Sequence, residues 1–256
     1  MQIELNFKTF GEGFPLIILH GLFGTLDNWQ TVGRQLGEHF NVFVLDQRNH
    51  GKSPHTEEFS YALLAADLAH FMDSQGIKKA YIIGHSMGGK AAMQFAWTYP
   101  KRVEKLVILD IAPKVYHGGQ ERIISTLLGI NLENVSDRKE VENQMMANIP
   151  EFGVRQFLLK NLTRNENSGK LEWKMNLRVL SREIQHIMGD IGPGIYNGET
   201  LFVRGDQSDY ILDEDVPEMK SGFPKMQLET IENAGHWLHA EQPRALMELL
   251  LRFLGI

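Results

Sequence analysis

The sequence predicts an α/β fold, a mostly parallel, doubly wound sheet with a helical insertion late in the chain. Three observations lead there. Short apolar runs of β character recur, segments of helical periodicity alternate with them, and one long interval between two such runs is helical in pattern throughout.

The elements follow in order. The amino-terminal stretch "MQIELNFKTFGEG" alternates apolar and polar residues as a strand does. Next come "PLIILH" (15–20), "NVFVLD" (41–46), "KAYIIGH" (79–85), "KLVILD" (105–110), "TLFVRG" (200–205) and "MQLETI" (226–231). Several are nearly continuous in apolar residues, as parallel strands covered on both faces must be. Helical segments separate them. "SYALLAADLAHFMDSQG" (60–76) spaces Leu63, Leu64, Leu68 and Phe71 for one face, with Ser60 placed to cap it and Gly76 to stop it. "MGGKAAMQFAWTYP" (87–100) is rich in small residues and ends at Pro100, and the last helix carries Pro243 in its first turn. From about Ala112 to Asn197 no strand is evident. Amphipathic helical stretches such as "QERIISTLLGI" and "GVRQFLLKNL" fill that interval. An insertion there reads as a cap over the carboxyl ends of the strands, where open α/β sheets bind ligands.

Bulk composition excludes several classes. The 256 residues suffice for one substantial core plus a lid, and 43% apolar with 23% charged residues is ordinary for a globular chain. A formal charge of −6 supplies no basic footprint, so no nucleic-acid partner is expected. There is no cysteine, hence no disulfide, thiolate metal site or cysteine nucleophile, and a reducing compartment is permitted. No secretory signal and no run of about 18 apolar residues is present, so neither export nor a membrane span is expected and the predicted setting is the cytoplasm. No cofactor is implied. Whether the chain is a monomer or a dimer stays open.

Gly84-His85-Ser86-Met87-Gly88 fits G-x-S-x-G, the nucleophile elbow, and lies between a strand and a helix as the motif requires. The serine takes a strained turn there, tolerable only where its neighbours are small, hence the glycines two residues to either side. Gly89 and Ala91 let the following helix approach the sheet. The turn lifts the Ser86 hydroxyl clear of the backbone and aims the Met87 N–H at an oxyanion formed on attack. "HGLFG" (20–24) closes the second strand with glycines that can turn N–H groups inward, and Leu22, with Phe23 as the lesser choice, is the expected second donor.

A general base is expected late in the chain. "ENAGHWLHAEQP" offers His236 directly after a strand and His239 three residues on; His236 is the better placed, and His239 reads as structural. Most of the other histidines read as surface or loop residues, and none has the spacing of a metal ligand set, so no metal is expected. The acid is ambiguous. In "RGDQSDYI" Asp206 and Asp209 flank Ser208, while Asp110 ends the preceding strand, next to the elbow strand if the sheet has the usual order. Asp110 is the better placed and Ser208 could help hold the ring, but Asp209 remains an alternative. Phe23, Met87, Trp237, Phe157 and Leu158 are candidates for lining an acyl pocket.

"HGLFGTLDNW", "DQRNHGKSP", "GHSMGGKAA", "LDIAP" and "NAGHWLHAEQP" together resemble the α/β-hydrolase superfamily, and within it the YbfF-like and ABHD11-like esterase branch. The likeness runs over nearly the whole chain, including "VRQFLLKNL" and W-x-x-N-L in the insertion. It implies the α/β-hydrolase fold with a helical cap between the sixth and seventh sheet strands, residues 113–197, and a core made of 1–112 and 198–256. It also implies hydrolysis of carboxylic esters or acyl thioesters by Ser86, His236 and Asp110, Asp110 being the aspartate this branch would use to orient the histidine. "DQRNHGKS" resembles the superfamily's D-x-R-x-x-G-x-S turn and is expected to hold loops around the site. C–C bond hydrolysis, perhydrolysis, lactone opening and silent ligand binding are the competing readings on this scaffold.

Overall fold

The structure, a computed structural model, describes residues 2–256. Met1, the first residue of the expected amino-terminal strand, lies outside them. The strands are β1 (Phe7–Phe10), β2 (Pro15–Leu19), β3 (Asn41–Leu45), β4 (Ala80–His85), β5 (Val103–Leu109), β6 (Leu162–Arg164), β7 (Leu171–Trp173), β8 (Thr200–Gly205) and β9 (Met226–Ile231). Among the described residues, seven of them form one sheet in the order β1-β3-β2-β4-β5-β8-β9. Only β1 is antiparallel to its neighbour; the remaining pairs are parallel.

The helices are α1 (Gln30–Leu36), α2 (Tyr61–Ser74), α3 (Met87–Thr98), α4 (Gln120–Gly129), α5 (Arg138–Met146), α6 (Phe152–Leu159), α7 (Leu177–Arg182), α8 (Ile184–Met188), α9 (Val216–Gly222), α10 (Leu238–Glu241) and α11 (Pro243–Leu254). Strand periodicity divides the sheet's side chains between two cores. Ile17, Leu19, Phe43, Leu45, Ile82, Leu106 and Ile108 pack with α2 and α3 on one face. Their neighbours Leu16, Ile18, Val42, Val44, Ile83, Val107 and Leu109 pack on the other with Val32 and Leu36 of α1 and Leu246, Leu250 and Leu254 of α11. Both faces are therefore covered, which explains why the strands read as unbroken apolar runs. Helix ends follow the sequence as well. Ser60 Oγ accepts from Leu63 N–H at 3.1 Å, and Gly76 stops α2 in the left-handed region at φ 67°.

Two details differ from the expectation. The insertion leaves the sheet after β5 and returns at β8, the fifth and sixth sheet strands in chain order rather than the sixth and seventh, because five sheet strands precede it, as many as the strand-like runs in the sequence. The insertion is also not wholly helical. β6 and β7 pair antiparallel as a hairpin within it. Strands of three residues are too short to show an alternation in sequence, and their only signal is the polar turn "NENSG" between them.

Candidate active site

The candidate side chains collect beyond the carboxyl ends of the parallel strands. β4 runs into Ser86, whose backbone sits at φ 53°, ψ −121°, and α3 begins at the next residue. The glycines are there for space. A Cβ on Gly84 would come within 2.3 Å of Gly88 O, and one on Gly88 within 2.5 Å of Leu19 O and His20 O. Ser86 N–H donates to Leu109 O at 3.1 Å, tying the turn to the end of the adjacent strand. Met87 opens α3, so its N–H belongs to the first turn and has no partner within the helix.

At the end of β5 stands Asp110, fully buried and itself left-handed at φ 50°. Its N–H donates to Val203 O at 2.8 Å, while its Oδ1 accepts from Gly205 N–H at 3.3 Å. His236 Nδ1 donates to Asp110 Oδ2 at 2.8 Å, and the Ser208 hydroxyl donates to the same oxygen. That bond fixes the ring's tautomer, with the proton on Nδ1 and the lone pair on Nε2. Tyr210 stacks on the imidazole, centroids 3.8 Å apart and planes 19° apart. The backbone around His236 is pinned on three sides. Gly235 N–H and Trp237 N–H donate to the Glu241 carboxylate at 2.5 and 3.3 Å, and His236 O accepts from His85 Nε2 at 2.8 Å. Asp206 and Asp209 are exposed and make no bond to His236.

The loop after β2 faces the elbow. Gly24 N–H donates to Gly21 O at 2.9 Å, closing a turn with Phe23 at φ 60°. His20 Nδ1 donates to the same Gly21 O at 2.8 Å, and its Nε2 accepts from Gln47 N–H at 3.0 Å. Burial pushes the His20 pKa down to about 4, which keeps the ring neutral in this double role. Leu22 N–H has no partner among the described residues. The "DQRNHGKS" turn supports this loop. Asp46 accepts from Leu26 N–H at 2.7 Å and Lys52 N–H at 2.9 Å, and Arg48 makes a buried two-pronged contact with Asp67 at 2.7 and 2.9 Å.

A cavity of about 280 Å³ joins these parts. Ser86, His236, Leu22, Phe23, Tyr210 and Trp237 line it from the sheet side, and Ile123, Ile149, Val154, Phe157 and Leu158 from the insertion. The rings of Phe157 and Trp237 meet at 5.7 Å. Met87 is not on this wall; it lines a smaller recess that also opens on Ser86 and Leu22.

Comparison with known proteins gives a consistent assignment. A family profile described as alpha/beta hydrolase fold matches residues 15–127. The sn-1-specific diacylglycerol lipase ABHD11 of Danio rerio is 35% identical over 98% of this chain and 83% of its own. The chain belongs to the α/β-hydrolase fold family. The esterase YbfF of Escherichia coli K12 is 36% identical over 94% of this chain and 93% of its own. Among solved structures, a marine microorganism esterase is 42% identical, with a TM-score of 0.96 over 98% of this chain and all of its own. This α/β-hydrolase therefore has relatives named as esterases and lipases along nearly its full length.

Several groups at the site were not legible in the sequence. His20 and His50 lie in loops and His85 ends β4, and all three are buried. Burial lowers the pKa of His50 to about 3 and, with His236 beside it, holds His85 well below the usual histidine range. His239 lines the cavity and stacks on Trp29 at 4.2 Å. The Glu241 bracket and the Tyr210 stack follow from loop closure. Only the position of His85 inside the elbow motif offered a clue, since the residues flanking the serine there, His85 and Met87, are both buried.

Proposed function

We propose that the chain is a serine esterase that cleaves carboxylic esters through an acyl-enzyme, with Ser86 as nucleophile, His236 as general base and acid, and Asp110 as the group that orients the histidine. The observation that carries this reading is the 2.8 Å bond from His236 Nδ1 to the fully buried Asp110, beside a serine on a strained elbow in one cavity. With Nδ1 committed to the carboxylate, Nε2 is the nitrogen left to take the Ser86 proton. The oxygen then attacks the acyl carbonyl, and the N–H groups of Leu22 and Met87 receive the developing oxyanion. His236 returns its proton to the departing alcohol and next activates the water that releases the acid. Residues 113–197 act as the cap, and their apolar side chains hold the acyl chain against Phe23 and Trp237. The names of the relatives at 35% and 36% identity support an ester substrate. Among the described residues no helix is long and apolar enough to cross a membrane, and the cytoplasmic setting is carried over from the sequence.

p-Nitrophenyl esters of graded acyl length test this directly. The wild type releases p-nitrophenol, and Ser86→Ala loses about 10⁶ in kcat, by the scale of a removed triad serine. Binding of the esters without turnover along the whole series would replace the enzyme with a silent ligand-binding member of the fold.

A further inference from the structure

One buried side chain of the insertion enters the site loop and is not used by the chemistry above. Asn161 follows α6 and is 1% exposed. Its Nδ2 donates to Phe23 O, across 138 residues of sequence. The Asn161 backbone is fixed too: its N–H donates to Leu158 O at 3.0 Å, and its carbonyl accepts from Lys174 N–H at 2.7 Å.

Phe23 occupies the third place of the turn from Gly21 to Gly24, with φ 60°. Turns that need a positive φ there normally place Gly or Asn at that position, so a phenylalanine needs outside support. A trans peptide sets its C=O and N–H on opposite sides of one rigid plane. Fixing Phe23 O therefore fixes Gly24 N–H, which donates to Gly21 O at 2.9 Å. Fixing Gly21 O in turn fixes Leu22 N–H, the group directed away from that carbonyl.

We propose that Asn161 is a positioning residue for the oxyanion hole: the cap aims the Leu22 donor through two peptide planes. The proposal rests on the reading of Leu22 N–H as an oxyanion donor. It makes the cap part of the catalytic apparatus as well as a cover for the acyl chain. Hydrogen bonds in such a series also polarise one another, which makes the terminal N–H a better donor. His20 Nδ1 holds Gly21 O independently at 2.8 Å, so removal of Asn161 leaves the loop partly ordered. The expected loss is accordingly smaller than that for deleting a donor outright, roughly 10- to 100-fold in kcat against the 10²–10³ of a lost donor.

The test compares wild type, Asn161→Ala and Asn161→Asp for kcat, KM and inhibition by an alkyl boronic acid, whose tetrahedral adduct on serine carries the oxyanion charge. In Asn161→Ala, kcat falls roughly 10- to 100-fold and boronate affinity weakens in parallel, while KM changes by less than about three-fold. Asn161→Asp keeps the shape should the alanine variant not fold. Its ionised form places an acceptor against Phe23 O, and its protonated form restores a donor. Because burial raises the pKa of a carboxyl group, the kcat of Asn161→Asp relative to wild type rises as pH falls toward about 5. With kcat taken per folded molecule at each pH, a residue that only stabilises the fold would not produce that profile. Folded variants with kcat and boronate affinity within about three-fold of wild type, or a loss confined to KM, would overturn the proposal. Ester hydrolysis by the wild type and its absence in Ser86→Ala report separately on the underlying esterase reading.

Discussion

The two arms of the site are built differently. The proposed base arm, Asp110 with His236, is held by the sheet and its own loops: Gly205, Ser208, His85 and Glu241 all come from outside the insertion. The loop proposed to hold the oxyanion takes one of its supports from Asn161 in the insertion, at the junction of α6 and the β6–β7 hairpin. Redundant local support on one side and a long-range contact on the other imply different tolerance to change. The base arm should fail only when a reacting group or its direct partner is altered. The oxyanion loop should respond to a residue distant in the chain.

The sharpest way to break the base arm is at Asp110. Asp110→Asn keeps the shape but presents an amide to His236 Nδ1, favouring the wrong tautomer, and costs on the order of 10⁴ in kcat. Asp209→Asn, at an exposed position without a bond to the ring, leaves kcat within about three-fold. Steady-state kinetics of both variants would decide between the two acids, and the reverse ranking would exclude Asp110. Next in size comes the loss expected at Asn161. Smaller again is Glu241→Ala, which removes the acceptor of two N–H groups around His236 but leaves the His85 and Asp110 bonds in place. Its melting temperature drops by a few degrees and its kcat by less than about ten-fold. A loss equal to that of Asp110→Asn would show that the base arm is not redundantly held.

The smallest effect near neutrality concerns stability. His20, His50 and His85 are buried and neutral, with pKa values pushed down to about 4, about 3 and well below the usual range by burial. In the unfolded chain they titrate near 6.5. Between those values the unfolded state binds more protons, so stability is retained above about pH 6.5 and lost as pH falls, each ring approaching about 1.4 kcal/mol per pH unit. Urea midpoints at pH 7.5, 6 and 5 should be level at first and then fall steeply. A midpoint unchanged down to pH 5 would mean that the rings gain protons in place.

The same division explains what the sequence made legible. The elbow compresses strand end, strained serine and helix start into five residues, so spacing alone exposes Ser86, Met87 and the purpose of Gly84 and Gly88. Asp110 directly follows β5 and His236 lies in the loop after β9, and doubly wound sheets gather such positions on one edge, which left only the choice between Asp110 and Asp209. The supports belong to no local pattern. Asn161 meets Phe23 across 138 residues and His85 meets His236 across 151, and nothing in the composition near either residue marks the contact. The β6–β7 hairpin escaped for the opposite reason, being too short for a period to develop.

The most direct signature of the proposed chemistry is a covalent bond to one oxygen. Treatment with an alkyl fluorophosphonate, followed by peptide mass spectrometry, should place a single adduct on Ser86, with none formed in Ser86→Ala and slow formation in Asp110→Asn. An adduct on another residue, or undiminished labelling of Ser86→Ala, would contradict it.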